Sequence, residues 1–251
     1  MSDSRRAGVG RLGGEFVVIV LGVLIALAAD RWMSGFDRRD QESLYLSQLA
    51  ENLRADSAAL AYQMEELSQR SETALQLLLL TEAANTARVP DDSRSFAAGF
   101  EGVGFYDPMD YADETWRDLV STGNAGVIGD ARLRQALSRY YNQIEAFRII
   151  EMEWDTQLRV YETNAWNVLP PLRRLSVLSA WLEEVYPILG DVDVEAPNRS
   201  DVLAILSALR SRPDLRVQLG QVRATTAIAG VFYQDIQSEA TKLLRLVEQA
   251  R

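Results

Sequence analysis

Acidic side chains are the main candidates for chemistry in this sequence. The stretch Glu101–Glu114 contains five carboxylates, and the shorter stretch Asp191-x-Asp193-x-Glu195 contains three. Carboxylate oxygens at such spacings could serve as ligands for a hard cation such as Ca²⁺. Neither stretch has the Gly and the bidentate Glu of an EF-hand loop, so we favour helix capping and solvation over metal binding.

Catalysis has little support beyond these acids. Glu151, Glu153 and Asp155 recur at every second residue, so on a helix they spread around it instead of converging. The chain contains no His and no Cys, and Lys242 is its only lysine. The usual general base, thiolate chemistry and a lysine cluster for phosphate are therefore absent. We expect a non-enzymatic protein without a metal or other cofactor.

The charge of the chain restricts its partners. The formal net charge is −10, and the first 36 residues hold four Arg against three acids. Those residues contribute +1, and the remainder carries −11. Because nucleic acids are bound largely by charge neutralisation, an acidic domain of this kind excludes a nucleic-acid partner.

The most distinctive element of the sequence is an apolar run close to the N-terminus. The run Phe16–Ala29 contains fourteen uncharged residues, about 21 Å of helix against a hydrocarbon core of about 30 Å. Extension from residue 12 to residue 36 reaches a spanning length. The residues predicted to lie at the membrane–water interface are then Glu15, Arg31, Trp32 and Phe36. We predict a transmembrane helix over residues 15–36.

The flanking charges predict how this helix is oriented. Three of the first fourteen residues are Arg, whereas Arg and acidic residues are mixed after the run. The positive-inside rule then favours a cytoplasmic tail over residues 1–14 and an exported domain over residues 37–251. The small residues Gly22, Ala26 and Ala29 are predicted to pack against a neighbouring membrane helix. The alternative is a signal peptide cleaved at an A-x-A site such as Ala26-Leu27-Ala28.

Two long helices are predicted from heptad-like seams. Neither contains an internal proline, and Pro213 suits the first position of the second helix. We expect the seams to pack on each other within one chain rather than between chains. The first helix could also continue the anchor as one rod, because no proline occurs before Pro90. The two seams are Leu46, Leu49, Leu53, Ser57, Leu60, Met64, Leu67, Ser71, Ala74 and Leu78, and Leu215, Leu219, Val222, Thr226, Ala229, Tyr233, Ile236, Ala240, Leu243 and Val247.

Other helices are predicted between these two. Asp92 or Asp91 suits the start of one helix, and Asp113 or Asp110 suits the start of another. Asp130 is predicted to cap a long amphipathic helix that runs to about Trp166, and a helix through Leu175, Leu178 and Trp181 follows Pro171. The residues from Gly190 to Ser200 read as a surface loop, with Ser200 capping a last short helix. No long period-two alternation occurs, so the predicted class is all-α, an antiparallel helical bundle.

Two segments resemble a family of uncharacterised bacterial membrane proteins. The run GEFVVIVLGVLIALAADRW is similar to that family's first helix, although Ala29, Asp30 and Arg31 stand where the family usually has Asn residues. The segment ADETWRDLVSTGNAGVIGDARLRQALSRYY is similar to its short helix, S-G-N turn and following helix with paired tyrosines. The resemblance implies an uncleaved anchor and no assigned activity. The second match is carried by Leu119, Gly123, Asn124, Ile128, Leu133, Leu137, Tyr140 and Tyr141.

These features together predict a single-pass protein of the bacterial inner (cytoplasmic) membrane. We expect a non-enzymatic accessory or scaffolding subunit that binds the lipid bilayer and other membrane-protein subunits through its anchor and its helical domain. A photosynthetic or respiratory complex is a conceivable host, although no residue specifies one. One alternative is a periplasmic small-molecule-binding or sensory domain, for which a pocket lined by Trp116, Tyr140 and Trp166 would be the sign. Another is a soluble exported domain released by signal-peptide cleavage.

Overall fold

A computed structural model describes the backbone of residues 4–81, 91–170 and 196–251. In its first helix, side chains are described at Leu24 and from Arg38 onward. These residues form helices and turns with no strand among them, which confirms the all-α class for this part of the chain. The helices are α1 (Ser4–Leu79), α2 (Ser93–Gly102), α3 (Glu114–Ser121), α4 (Ala131–Ala165), α5 (Arg199–Ser211) and α6 (Pro213–Ala250).

Helix α1 is a single element of 76 residues. Its backbone therefore continues from the apolar run into the domain, as the absence of an internal proline predicts. Where side chains are described, no helix is long and apolar enough to cross a membrane. The predicted transmembrane helix is not shown, and its packing and interface residues lie outside the described side chains: Gly22, Ala26, Ala29, Glu15, Arg31, Trp32 and Phe36.

Helix α6 runs antiparallel to both α1 and α4. Gln237 Nε2 donates to the Ser57 carbonyl (3.1 Å), while Arg210, just before α6, reaches the carbonyl of Leu80 near the far end of α1. Helix α6 is antiparallel to α4 as well, since Asn164 Nδ2 near the end of α4 donates to Gln218 Oε1 near the start of α6 at 3.3 Å. Helix α4 has 35 residues, and its predicted extent from Asp130 to about Trp166 is confirmed.

The predicted seams form the core within one chain. All ten seam positions of α6 are buried, and they lie against the buried seam of α1. In α1 six of the ten seam positions are buried and four are half-buried, namely Ser57, Met64, Ser71 and Leu78. The buried residues beside Ser57 and Leu78 are Asp56 and Leu77. The intrachain packing expected for the two seams is therefore confirmed, with a carboxylate inside it.

Most of the predicted helix starts are confirmed. Asp92 accepts from Ser95 N at 3.0 Å, and Asp130 accepts from Arg132 N at 2.7 Å. Pro213 occupies the first turn of α6.

The prediction that Ser200 caps α5 is wrong. Asn198 is the cap, because its side chain accepts from Ser200 N (2.8 Å) while Asp201 Oδ2 accepts from Asn198 N (2.8 Å). This reciprocal pair is a capping box, which leaves Ser200 inside the first turn. The helix predicted through Leu175 and Trp181 and most of the predicted loop lie outside the described residues.

Candidate functional site

Four carboxylates are buried in the described part of the bundle, and one of them, Asp201, belongs to the α5 capping box. Asp56 lies on α1, Glu101 at the end of α2 and Glu151 in the middle of α4, each at most a few per cent exposed. A buried carboxylate is costly unless hydrogen bonds compensate for its lost hydration. The hydrogen-bond partners of these carboxylates therefore indicate their role in the structure.

Glu151 is the centre of a tyrosine cluster between α4, α6 and the segment that follows α2. Its Oε1 accepts a short hydrogen bond from the Tyr233 hydroxyl, and the Tyr233 and Tyr106 hydroxyls lie 2.8 Å apart. Met109 N and the Tyr106 hydroxyl are each 3.4 Å from the same Oε1. Its other oxygen, Oε2, is buried and has no hydrogen-bond partner among the described residues.

Burial raises the pKa of Glu151 above its ordinary value, and this effect outweighs the hydrogen bonds from Tyr233, Met109 N and Tyr106, which lower it. Burial also raises the pKa of Tyr233, and the neighbouring Tyr106 and Glu151 add to that increase. These phenols therefore remain protonated donors across the physiological range. The hydrogen bonds of the cluster lie inside the protein, where the Glu151 carboxylate is fully buried.

On α1, Asp56 is a second buried carboxylate that accepts hydrogen bonds from other elements. Its Oδ1 accepts from Ala112 N at 2.7 Å, and its Oδ2 accepts from the Tyr140 hydroxyl at 3.0 Å. Burial raises the pKa of Asp56, opposed first by the Ala112 N–H and then by Tyr140.

The connection between α2 and α3 is thus fastened by two buried carboxylates. Glu151 holds its middle through Met109 N, and Asp56 holds its end through Ala112 N. Between them, Tyr111 is buried, and its hydroxyl has no hydrogen-bond partner among the described residues. The two carboxylates act as positioning groups for the connection.

The start of the same connection is closely packed against α4. Tyr161 donates to the Phe100 carbonyl at 2.7 Å, and burial, together with the nearby Glu101, raises the Tyr161 pKa. A Cβ added at Gly104 would lie 2.5 Å from Tyr161 Cδ1, which real structures do not show. Only glycine therefore fits at this point without displacing the Tyr161 ring.

Residues 123–129 form a turn between α3 and α4. Gly123 has φ of +74°, a left-handed conformation that favours glycine, and Asn124 begins a 3-10 helix that ends at Val127. Leu119 and Ile128, on either side, are buried. We call residues 123–129 the G-N turn.

The G-N turn is bound to α1 just beyond the predicted membrane segment. Arg38 Nη2 donates to the Gly126 carbonyl at 2.7 Å, and Gly129 N donates to Glu42 Oε1 at 2.6 Å. One turn further along α1, the Tyr45 hydroxyl donates to Asp118 Oδ2 at 3.2 Å. These bonds fix the G-N turn and the end of α3 to one side of α1.

The paired tyrosines and the tryptophans lie in different environments. Tyr140 borders a groove of about 350 Å³ between α4 and α6, and its hydroxyl binds Asp56. Tyr141 stacks on Trp116 at 5.6 Å beside a separate groove of about 250 Å³ between α3 and α4. Trp166 is exposed after the last residue of α4. Trp116, Tyr140 and Trp166 therefore do not line one pocket.

The acidic stretches considered for metal binding do not converge. Asp107 and Asp110 are exposed, and Asp113 pairs with Arg117 (2.7 Å) and Arg148 (2.9 Å). In the described part of the chain, no group of three Asp or Glu side chains could hold a metal ion. The stretch from Asp191 to Glu195 lies outside the described residues.

Sequence reasoning missed Asp56 and Glu151 as core residues, although a signal was present. Glu151 continues the three- and four-residue steps of Leu137, Ile144 and Phe147 towards Trp154, and Asp56 continues the seam after Leu53. Seam spacing predicts burial whatever the residue type, and a seam carboxylate predicts buried donors nearby.

Over residues 4–81, 91–170 and 196–251, these observations define a helical bundle with three long helices and a buried carboxylate–tyrosine core. Comparisons with models of protein families, with curated proteins and with solved structures found no match.

Proposed function

We propose that this chain is a single-pass, membrane-anchored accessory or scaffolding subunit without enzymatic activity, docked on a larger membrane protein assembly. The observation that carries the proposal is the coupling of the domain to α1. Helix α1 is continuous from Ser4 to Leu79, and the G-N turn is bonded to it at Arg38 and Glu42.

This coupling suits a subunit whose orientation at a membrane matters. Arg38 lies two residues beyond the proposed membrane segment, and a flexible linker would leave the domain free to turn. A continuous helix with a turn hydrogen-bonded to its side would instead fix the orientation of the bundle relative to the anchor. The Gly22, Ala26 and Ala29 face would then meet other membrane helices.

The arrangement of polar groups supports a non-enzymatic role. Asp56 and Glu151, whose pKa is raised by burial, use their oxygens to hold the connection between α2 and α3. A general acid or base must reach a substrate, and these two groups are buried.

Affinity purification of the full chain in mild detergent, followed by mass spectrometry, tests the proposal. We expect a stoichiometric membrane-protein partner and an intact N-terminal segment, Met1–Ala28. A mature chain that starts after Ala28, or purification without any stoichiometric partner, would overturn it.

A pair of matched double variants makes this test sharper. Arg38→Ala with Glu42→Ala releases the G-N turn from α1, and we expect several-fold less partner to be recovered. Arg39→Ala with Asp40→Ala removes the same two charges at adjacent, exposed positions of the same helix, and we expect partner recovery to be unchanged. Equal recovery from both variants would contradict a role for this coupling.

A further inference from the structure

Helix α3 runs along α1 in the direction of the α1 N-terminus. Near the start of α3, Asn52 Nδ2 donates to Thr115 Oγ1 at 3.2 Å, and further along the Tyr45 hydroxyl donates to Asp118 Oδ2, also at 3.2 Å. Later residues of α3 thus contact earlier residues of α1. The end of α3, at Ser121, is therefore the part of α3 nearest the proposed membrane segment.

The chain reverses at the G-N turn and leads away again in α4. The Gly126 carbonyl accepts from Arg38 at 2.7 Å, and the Tyr140 hydroxyl of α4 donates to Asp56 at 3.0 Å. Helices α3 and α4 therefore form a hairpin whose closed end lies at the level of Arg38. We call residues 120–127 the hairpin tip.

The level of Arg38 is close to the lipid surface if residues 15–36 cross the bilayer as we propose. Arg38 then lies about 3 Å along the helix beyond the membrane segment, and the headgroup layer on each side of a bilayer is about 5–7 Å thick. The hairpin tip lies about 10 Å from the α1 axis, so an average helix tilt of about 20° changes its height by only about 3 Å. The hairpin tip therefore reaches the headgroup layer.

The C-terminal end of α6 lies further from the lipid. Glu248, near the end of α6, forms an ion pair with Arg54. Arg54 lies about 27 Å along α1 beyond the proposed membrane segment. The hairpin tip therefore reaches the lipid surface well before this end of α6 does.

The chemistry of the hairpin tip suits this layer. No residue from Leu119 to Gly129 is charged, although a quarter of the whole chain is. Val120 is an apolar side chain that is 54% exposed. The hydroxyls of Ser121 and Thr122 donate to the Asp118 carbonyl at 3.2 and 2.7 Å. Because hydroxyls that are already bonded lose less on leaving water, the tip enters the headgroup layer at low cost.

The charge of the chain decides which kind of lipid fits the hairpin tip. The net charge is −10, so the domain as a whole is repelled by an anionic lipid surface. The tip itself has no charge with which to bind an anionic headgroup. A zwitterionic phospholipid carries no net charge and therefore meets neither obstacle.

We propose that the hairpin tip is a membrane-contact surface, seated in the zwitterionic headgroup layer beside the point where α1 leaves the bilayer. The contact rests on the proposed anchored function and adds a second point of attachment to it. With α1 alone, the domain would be free to tilt about the end of the membrane segment. A contact about 10 Å from the α1 axis opposes that tilt.

Fluorescence quenching by lipid tests this contact directly, because the chain contains no native cysteine to compete for a label. The full chain with Val120→Cys carries an environment-sensitive fluorophore in phosphatidylcholine vesicles that contain a headgroup nitroxide lipid. Leu203→Cys on α5 is the matched control, since Leu203 is 49% exposed and α5 borders the distal end of α1. We expect at least threefold stronger quenching at position 120 than at position 203.

Flotation of the vesicles separates failure of the contact from failure of the anchor. A chain that floats with the vesicles but shows equal quenching at the two positions would overturn the lipid contact alone. A chain that does not float would overturn the proposed anchor and the contact with it. Quenching at position 120 that occurs only after anionic lipid is added would overturn contact by the uncharged tip.

A second reporter shows whether the tip itself, rather than the attached fluorophore, makes the contact. Gly126→Cys provides it, since nothing lies within 4 Å of a Cβ placed there. Adding Val120→Glu should lower quenching of this reporter at least twofold, because a carboxylate is costly to move out of water. Adding Leu203→Glu should leave it unchanged. Equal effects of the two added charges would contradict the proposal.

Discussion

The backbone N–H of Ala112 donates a 2.7 Å hydrogen bond to Oδ1 of Asp56, although the two residues lie 56 positions apart in the chain. The same carboxylate accepts a hydrogen bond from Tyr140 on α4. One side chain of α1 thus joins the connection after α2 to α4.

We expect Asp56→Ala to lower the free energy of unfolding by about 2–4 kcal/mol, because it leaves the Ala112 N–H and the Tyr140 hydroxyl buried without their acceptor. Chemical denaturation followed by circular dichroism measures this loss. Asp40→Ala, at an exposed position of the same helix, should change stability by less than about 0.5 kcal/mol. Similar losses for the two variants would contradict the assigned role of Asp56.

The raised pKa of Glu151 predicts a pH dependence of stability. Between the ordinary pKa of the unfolded chain and the higher pKa of the folded chain, the folded chain holds a proton that the unfolded chain has released. Its contribution to stability is therefore full below the unfolded pKa and is lost as pH rises through the folded pKa.

Glu151→Gln removes this titration while keeping a similar shape. Its free energy of unfolding relative to the wild type should therefore improve as the pH rises above about 4, as measured by urea unfolding at several pH values. Glu153→Gln, at an exposed neighbouring position, should show no such trend. A constant difference between wild type and Glu151→Gln at all pH values would be inconsistent with the raised pKa.

The left-handed conformation of Gly123 predicts an asymmetric response to alanine in the G-N turn. Gly123→Ala should cost about 1–2 kcal/mol, because an L side chain is strained at a φ of +74°. Gly126→Ala is the control, since nothing lies within 4 Å of a Cβ placed there and its φ is not in the left-handed range. Thermal unfolding of both variants separates the two effects, and a neutral Gly123→Ala would rule out the assigned strain.

The contact between Gly104 and Tyr161 predicts a packing defect on substitution. Gly104→Ala should lower the free energy of unfolding by about 1–3 kcal/mol, because the added methyl group forces the buried Tyr161 ring to move. Gly102→Ala, two residues earlier, meets no atom within 4 Å and should cost less. Near-ultraviolet circular dichroism gives a second readout, since it should change for Gly104→Ala alone.

The long helices were predictable because their apolar spacing is regular. Every one of the ten α6 seam residues is buried, and Asp130 and Pro213 occupy the predicted start positions of α4 and α6. Helix spacing and capping are local properties, so nearby residues determine them.

The site was less predictable, because it depends on donors that come from distant parts of the chain. Glu151 carries the same charge as exposed Glu153, and the donors that oppose the cost of its burial come from Tyr233, 82 positions later, and from Tyr106 and Met109. The α5 cap was missed for a related reason: Ser, Asn and Asp are all good caps, and the reciprocal bond between Asn198 and Asp201 decides among them.

The length of α1 has a consequence for the reach of the molecule. Residues 37–79 extend about 65 Å at 1.5 Å per residue. If residues 15–36 cross the bilayer as we propose, the ends of α2 and α5 that border the far end of α1 stand at about that height above the lipid surface. Any protein that contacts both the G-N turn and this distal end must extend about as far from the lipid surface. The length of α1 therefore restricts which partners can bind to both.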